Sequence, residues 1–423
     1  MNQTKPKPLS IRNEFPPVPV AEWEAQIAKD LKGADYQKRL VSKTDEGIAV
    51  KPYYTAADLP ADEQPQVPGG KPWEMSAPLA DVDAARFLET GATAVQELAF
   101  ALVELARKKG PASVRFAIGS NFFFEIAKLR AARVLWARLG RKEPLRIYAV
   151  TALSNKTLYD PCNNLLRASA EALAGVLGGC DALTVIPFRF DARLAENVQH
   201  ILREESHLAR VADPSAGSYY IEAITHALSE EAWKLYQTSP APEKINEAIA
   251  KSRAAKEAAF ASRRKVLVGT NNYPNWKERL EHPDEVEGWR LAGLFERIRL
   301  RTERYAQKAG KTPRVLLLER GDLKMRKARA SFCMNFFGCA GFELKHSPEL
   351  KEADLVVLCS SDPEYIDIAK DVCPKAHVPV LVAGNPKDHI EALKAAGVAG
   401  FVHLGSNAVE TLTEWQDKLG VTA

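Results

Sequence analysis

Short apolar segments alternate with longer helical segments between Pro72 and Ala261, and this alternation constrains the fold more than any other feature. A strand followed by a helix, repeated four times, predicts a parallel sheet with right-handed connections. The predicted strands are Val82–Phe87, Val114–Ile118, Leu145–Val150 and Ala182–Ile186. The helices predicted after them are Thr93–Lys108, Phe123–Leu139, Asn163–Leu177 and Ala192–Leu208.

Four strand–helix units are half of what a closed barrel requires. A closed (β/α)8 barrel has eight units and typically about 250 residues, and the segment from Pro72 to Ala261 is shorter than that. Two alternatives stay open, an open four-stranded sheet or part of a barrel that lacks its other strands. A partial barrel would expose two sheet edges, which residues 1–70, a second copy or an accessory chain would have to cover.

A second α/β pattern begins at Pro313 and predicts a doubly wound sheet. Its predicted strands are Val315–Leu318, Leu355–Leu358, Val378–Val382 and Gly400–His403. Between the two patterns lie a strand-and-turn segment, Val266–Pro274, and a helix from Trp289 to Lys308. The charged residues of this helix are predicted to form a solvated face; they are Glu296, Arg297, Arg299, Arg301 and Glu303.

The first 70 residues carry too little apolar sequence for a core of their own. One amphipathic helix is predicted from Val20 to Leu31, an extended run covers residues 48–50, and a Pro/Gly-rich linker runs from Leu59 to Lys71. Four regions are therefore expected: an arm and linker at 1–70, the strand–helix units at 71–265, a helical linker at 266–310, and an α/β domain at 311–423.

Composition excludes several classes of function. The net charge of +4, from 58 cationic and 54 anionic residues, does not indicate nucleic-acid binding. No apolar run reaches the roughly 20 residues that span a bilayer, and residues 1–8 lack the apolar core of a signal peptide. A cytosolic protein is therefore expected. The six cysteines and eight histidines are dispersed, so we predict buried thiols and no metal site.

Polar residues follow the predicted strands of the first sheet, but none of them is a histidine. Ser120, Asn121, Ser154, Asn155 and Lys156 would cap helices or bind an anion, of which capping is the commoner role. His207, with Glu204 and Glu205, falls late in a helix, which favours a position on the surface or at an interface. The turn at residues 211–222 carries two adjacent tyrosines, and packing is their expected role.

The turn after Leu318 stands where an open α/β sheet usually holds a ligand. It reads Glu319-Arg320-Gly321-Asp322-Leu323-Lys324-Met325-Arg326-Lys327. A phosphate cradle needs several glycines and free backbone amides, and a corrin site needs an exposed imidazole. This turn has one glycine, no histidine and four cationic side chains. Its position suits a cofactor, whereas its chemistry does not.

Taken together and in order, several segments resemble the methylmalonyl-CoA mutase family. The segments that resemble its barrel are Gly91–Phe100, Phe123–Trp136, Tyr159–Arg167, Glu204–Ser206 and Asp213–Tyr220. Gly47–Thr55 resembles the arm that embraces the partner subunit in this family. The C-terminal domain is similar to the family's flavodoxin-like cobalamin domain. The resemblance implies a partial (β/α) barrel of about four units plus a C-terminal flavodoxin-like, cobalamin-binding-type doubly wound domain.

Three departures from the family pattern indicate which subunit the chain resembles. Arg86 stands where the catalytic chain has a histidine, and Lys324 interrupts the Asp-x-His-x-x-Gly motif whose histidine ligates cobalt. A protonated Lys or Arg has no lone pair to donate to a metal. Barrel strands one to four, with the loops that would surround an acyl-CoA, have no counterpart between Leu59 and Val82.

The resemblance therefore implies the small, non-catalytic subunit of a heterodimeric adenosylcobalamin-dependent methylmalonyl-CoA mutase. Its expected partner is the catalytic large subunit, which would hold the cofactor, and no catalytic, cofactor-binding or metal residue is expected in this chain. Two alternatives remain. The chain is itself an acyl-CoA mutase or retains an acyl-CoA site, or it is a cobalamin-free regulatory or assembly module built around residues 311–423.

Overall fold

A computed structural model describes residues 18–59, 67, 71–281 and 286–422. The chain divides into two compact units, residues 1–57 and residues 58–423. The predicted linker at 59–71 lies mostly outside the described residues.

The described residues of the first unit form two α-helices and one short hairpin pairing. Its elements are α1 (Val20–Asp30), α2 (Tyr36–Leu40), β1 (Ser42–Lys43) and β2 (Ala49–Val50). The predicted helix and extended run are both confirmed. Neither helix buries a residue, and Trp23 stacks on Tyr53 with ring centroids 4.2 Å apart. Because Ile48 is the one hydrophobic residue buried among those described in this unit, its described part has almost no core.

The second unit begins with a parallel sheet in the order β3-β4-β5-β6. Its strands are β3 (Val82–Asp83), β4 (Ala112–Ile118), β5 (Leu145–Thr151) and β6 (Ala182–Thr184). The helices that follow these strands are α3 (Ala85–Glu89), α4 (Ala94–Leu105), α5 (Phe122–Arg138), α6 (Pro161–Leu177) and α7 (Ala192–His200). The four predicted strand–helix units are confirmed. α8 (Tyr219–Gln237) packs on α4 and α5, and α9 (Pro242–Ala261) follows it.

Local sequence explains where these helices begin. Thr93 accepts a hydrogen bond from the backbone of Gln96, whose side chain bonds back to Thr93, so a capping box starts α4. Pro161 stands in the first turn of α6, where its missing N–H costs nothing. The prediction of a strand from Val82 to Phe87 was wrong beyond Asp83, because Ala85–Glu89 forms a short helix of good helix formers.

The rest of the second unit is a helix followed by a five-stranded parallel sheet. After α10 (Gly293–Ala309), the strands are β7 (Arg314–Glu319), β8 (Glu343–Ser347), β9 (Leu355–Cys359), β10 (Val380–Ala383) and β11 (Gly400–Val402), in the order β11-β10-β9-β7-β8. The helices between them are α11 (Leu323–Gly338), α12 (Tyr365–Val372), α13 (Ile390–Ala395) and α14 (Ala408–Lys418). None of the helices in the described ranges combines the length and apolar composition needed to cross a bilayer.

Three predictions in this region need correction. The segment at 266–274 forms a single bridge between Val268 and Asn272 instead of a strand, because Gly269 turns the chain with φ of +84°. Strand β8 was missed. The predicted solvated face of α10 was wrong for Glu296, Arg299 and Glu303, which are each 2% exposed.

Buried charges on α10 bind the strand–helix part of the unit to the part that follows. Glu296 accepts a hydrogen bond from the N–H of Leu158 at 2.7 Å and pairs with Arg290 at 2.7 Å. The guanidinium of Arg299 lies 3.8 Å from the ring centroid of Tyr159. The buried Glu296 and Arg299 therefore each contact the strand–helix part. Such contacts offset the free-energy cost of removing a charge from water.

A second buried charge cluster lies over the end of β3, and we call it the Glu97 cluster. The ammonium of Lys128 pairs with Glu97 at 2.7 Å and with Glu125 at 2.5 Å, and the side chain of Lys128 is fully buried. Lys128 also donates to the carbonyl oxygen of Ala117 at 2.6 Å, and Glu97 accepts the N–H of Ala117 at 3.2 Å. Because β3 ends at Asp83, which pairs with Arg115, these side chains bind backbone groups that β3 leaves unpaired.

Replacing Lys128 by methionine is expected to destabilise the protein strongly. The variant leaves the buried carboxyl groups of Glu97 and Glu125 and the Ala117 carbonyl without their ammonium partner, and removing one partner of a buried charge pair typically costs roughly 3–5 kcal/mol. Chemical denaturation of the full chain measures the loss. The matched control is Lys234→Met, which breaks the exposed pair with Glu231 and is expected to change the stability little, because exposed ion pairs are screened by solvent. Equal losses in the two variants would contradict this account of the cluster.

The Glu97 cluster also predicts a pH dependence of stability. Burial raises the pKa of Glu97 from 4.5 to about 8, although Lys128 opposes the shift. The folded state therefore holds an extra proton between these two pKa values, so the free energy of unfolding falls as the pH rises through this window. Glu97→Gln carries no such proton, and its free energy of unfolding should fall less between about pH 5 and 8. Parallel pH profiles for wild type and variant would show that Glu97 is not protonated in the folded protein.

Candidate functional site

The carboxyl end of the four-stranded sheet is where a parallel α/β sheet usually carries its chemistry. Here it is closed by contacts within the chain. Glu89 on α3 accepts the backbone N–H groups of Leu153 and Ser154 at 2.7 and 2.8 Å, and burial raises the pKa of Glu89. The N–H of Leu291 donates to the carbonyl of Ser154 at 2.9 Å. The loop after β5 is therefore held from two sides.

Asn155 and Lys156 belong to a buried network around Glu171. Lys156 donates to both carboxylate oxygens of Glu171 at 2.8 and 2.7 Å, and Asn155 donates to the same group and to Ser120 at 2.6 Å. Burial raises the pKa of Glu171 to about 7 and lowers that of Lys156. The predicted capping role was wrong for Asn155 and Lys156, because their side chains bind the carboxylate of Glu171. Asn121 precedes α5 without forming a side-chain cap.

A cleft of about 350 Å³ opens beside this network. Gly119, Ser120, Phe122, Arg167, Ala170 and Glu171 line it. Arg167 donates to Asn164 and to the carbonyl of Val268 at 2.9 and 2.8 Å. Arg167 and Glu171, the ionisable residues that line this cleft, are therefore both hydrogen-bonded within the chain.

The remaining candidates of the strand–helix part lie apart from this cleft. Arg86 is on α3, where it pairs with Glu104 and its side chain is 52% exposed. His207 lies on the surface as predicted, with φ of +56°. The turn at 211–222 is anchored by carboxylates, because Asp213 and Glu222 both pair with the fully buried guanidinium of Arg130. The sequence alone did not indicate this partner, which is 83 residues from Asp213 along the chain.

The crevice between the turn after β7 and the loop after β9 is where an open α/β sheet usually holds a ligand. Side chains of this chain occupy it. Glu364, from the loop after β9, accepts the N–H of Asp322 at 3.1 Å and the hydroxyls of Ser360 and Ser361 at 2.6 Å. These hydrogen bonds lower the pKa of Glu364 to about 2. Gly321 has φ of +77°, and a Cβ there would collide with the Glu364 carboxylate. The backbone of the turn and the loop after β9 are therefore in direct contact.

A second pair of side chains occupies the same edge of the sheet. Arg329 pairs with Asp362 at 3.1 Å, and both lie against the backbone of Gly384. Arg320 is turned toward α12, where it pairs with Asp371 at 2.7 Å. Asp322 caps α11 by accepting the N–H of Met325 at 2.8 Å. The acidic residues at this edge thus serve the local fold.

One histidine near the turn was not predicted as a candidate from the sequence. His346 on β8 places its Nδ1 atom 2.6 Å from Glu319 at the end of β7. Because β8 pairs with β7 on the side opposite β9, His346 lies across β7 from the filled crevice. Among the described residues, no three His, Cys, Asp or Glu side chains are grouped as possible metal ligands. The prediction of buried thiols is confirmed for Cys180, Cys333, Cys339 and Cys359, whereas it was wrong for Cys162, which is exposed, and Cys373 is only half-buried.

Comparison with known proteins places these features in a family. Residues 80–312, more than half of the chain, match the family model described as methylmalonyl-CoA mutase. The methylmalonyl-CoA mutase small subunit of Porphyromonas gingivalis is 37% identical over 411 residues, which cover 81% of this chain and 66% of that protein. The small subunit of Streptomyces virginiae is 31% identical over 401 residues, covering 80% and 64%.

A second kind of relative matches a shorter part of the chain. The methylmalonyl-CoA mutase of Cereibacter sphaeroides is 38% identical over 238 residues, which cover 47% of this chain and 33% of that protein. This chain spans less than two thirds of the length of the small subunits that it resembles. From the family match and these identities, the chain belongs to the methylmalonyl-CoA mutase family.

Proposed function

We propose that this chain is the small, non-catalytic subunit of a heterodimeric, adenosylcobalamin-dependent methylmalonyl-CoA mutase. The partner chain would bind the cofactor and carry out the isomerisation of methylmalonyl-CoA to succinyl-CoA. This chain would supply surface that stabilises the partner. Two relatives that match most of this chain are named small subunits, which supports this assignment.

We also infer the origin of the two sheets. The four-stranded sheet corresponds to the last four units of a (β/α) barrel, and the five-stranded sheet to a degenerate cobalamin-type domain. Supporting this, the order β8-β7-β9-β10-β11 is the flavodoxin-like order 2-1-3-4-5. The regions proposed from the sequence, 1–70, 71–265, 266–310 and 311–423, follow from the same correspondence.

The filled crevice after β7 is the observation that carries the proposal. A corrin held at this edge needs an imidazole below the cobalt and open space between the strand ends. Lys324 stands at the position of that imidazole, and an ammonium has no lone pair to donate. Glu364 lies against Gly321 where the space would have to be. The residues present do not fit the group.

The strand–helix part supports the same conclusion. Arg86, which replaces the family's catalytic histidine, pairs with Glu104 on the outer helix α4. The loop after β5 is bound to Glu89 and Leu291, and Glu171 is bound to Lys156. These groups stabilise the fold, and the two ionisable residues described at the cleft, Arg167 and Glu171, are both hydrogen-bonded within the chain.

The first unit is the surface that we assign to the partner. Its aromatic pair, the exposed Trp23 and the half-buried Tyr53, is held in place by stacking and by the hydrogen bond from Tyr53 to Glu24 at 3.2 Å. Trp23 is 46% exposed although it belongs to the apolar face of α1. Pre-ordered aromatic side chains of this kind are typical of residues that dominate binding energy at interfaces.

Co-expression with a full-length mutase chain that has an intact Asp-x-His-x-x-Gly motif tests the assignment. The two chains are expected to elute together, and the partner's melting temperature should rise. Trp23→Ala should weaken the complex by about 2 kcal/mol, roughly thirtyfold in Kd, as for an interface hot spot. The matched control is Tyr273→Ala, an exposed aromatic outside the first unit, which should bind like the wild type. Separate elution of the two wild-type chains would overturn the assignment.

A cobalamin titration tests the filled crevice directly. The isolated wild-type chain should leave the absorbance spectrum of added cobalamin unchanged. Lys324→His restores the imidazole but leaves Glu364 in place, so it should also leave the spectrum unchanged. Lys387→His, on another loop of the same edge, controls for binding by a surface histidine. A spectral shift in Lys324→His alone would show that the crevice admits the cofactor.

A further inference from the structure

The outer edge of β6 is occupied by a segment of the same chain. Residues Trp73–Ala77, which we call the edge strap, run beside it, with Glu74 in parallel register with Ala182. The N–H of Glu74 donates to the carbonyl of Asp181 at 3.0 Å, and the N–H of Leu183 donates to the carbonyl of Glu74 at 2.9 Å. The N–H of Ala77 donates to the hydroxyl of Thr184 at 2.9 Å. A closed barrel would place another parallel strand at this edge.

The first residues of the edge strap are bound to α7. The indole N–H of Trp73 donates to the amide oxygen of Gln199 at 3.1 Å, and the amide nitrogen of Gln199 donates to the carbonyl of Met75 at 3.0 Å. Both side chains are almost completely buried, with Trp73 5% and Gln199 3% exposed. A buried indole with a satisfied N–H is a strong anchor. The strap is thus held at two levels, by β6 and by α7.

The opposite edge of the sheet is closed in another way. β3 has two residues, and beyond it the Glu97 cluster binds the backbone of Ala117. Short edge strands and covered edges are the usual means by which proteins prevent pairing with another sheet. Once the strap is removed, β6 is the edge with unpaired backbone groups, namely the carbonyl of Asp181 and the N–H of Leu183.

We propose that the edge strap blocks β6 from pairing with β6 of a second copy of this chain. The same strand is present on every copy, so two released edges can meet around a two-fold axis, each supplying what the other lacks. The strap satisfies these groups within one chain and leaves the chain available for a different partner. This proposal does not rest on the proposed function.

Release of the strap by Trp73→Ala is the test, with the full chain as the protein. The amide of Leu183 should exchange with solvent at least about tenfold faster, as expected for a lost hydrogen bond. Sedimentation velocity over a wide range of concentrations should show dimers or larger species that are absent from the wild type. Circular dichroism and protected amides in β4 and β5 verify that the variant is folded.

Two further variants make the result decisive. Glu74→Gln removes the exposed ion pair with Arg146 but keeps the backbone bonds, so it should behave like the wild type. Gln199→Ala removes the partner of Trp73 on α7. It serves as the test variant if Trp73→Ala does not fold. A folded variant with a deprotected Leu183 amide that still sediments like the wild type would overturn the proposal. Unchanged protection of Leu183 in both anchor variants would overturn it as well.

Discussion

A four-stranded parallel sheet that does not close into a barrel must satisfy the backbone groups at its two edges. Unpaired backbone groups that are buried cost free energy comparable to a lost hydrogen bond, and exposed ones invite association. This chain meets the constraint differently on each side. Glu97 and Lys128 bind the backbone of Ala117 beyond the end of β3, and Glu74 pairs with β6. The helices and the α10 contacts are arranged around this sheet.

Polar groups are also bound within the chain at the places where a catalyst would need unpaired groups. Glu171 is bound by Lys156, Glu89 by backbone amides, and Glu364 by two hydroxyls and the turn after β7. A general acid or a metal ligand must keep an atom for its substrate or ion, and these residues have already used theirs. Fold and function are separable, and these three carboxyl groups all hydrogen-bond within the chain.

Much of the fold was predictable because its signals are local. The capping box at Thr93, the proline at 161 and the alternation of apolar segments each act within a few residues. The errors came from long-range contacts. Glu296, Arg299 and Glu303 read as a solvated face, and their burial depends on Leu158 and Tyr159, which are more than a hundred residues away. β8 was missed because Lys345 and His346 make it a polar edge strand.

The candidate site divides in the same way. The missing histidine in the turn after Leu318 was visible from the sequence, whereas the carboxylate that fills the crevice was not. Glu364 lies 42 residues from Asp322, and only the parallel pairing of β7 with β9 brings them together. The pairing of Arg130 with Asp213 and Glu222 is hidden for the same reason.

We propose that this chain lends surface to a cofactor-binding partner and holds no cofactor itself. The cobalamin content of the purified two-chain complex tests this proposal, determined by absorbance together with quantitation of both chains. We expect one cobalamin for each pair of chains, lost completely when the partner's cobalt-binding histidine is replaced. Two cobalamins for each pair, or one that survives that replacement, would contradict it.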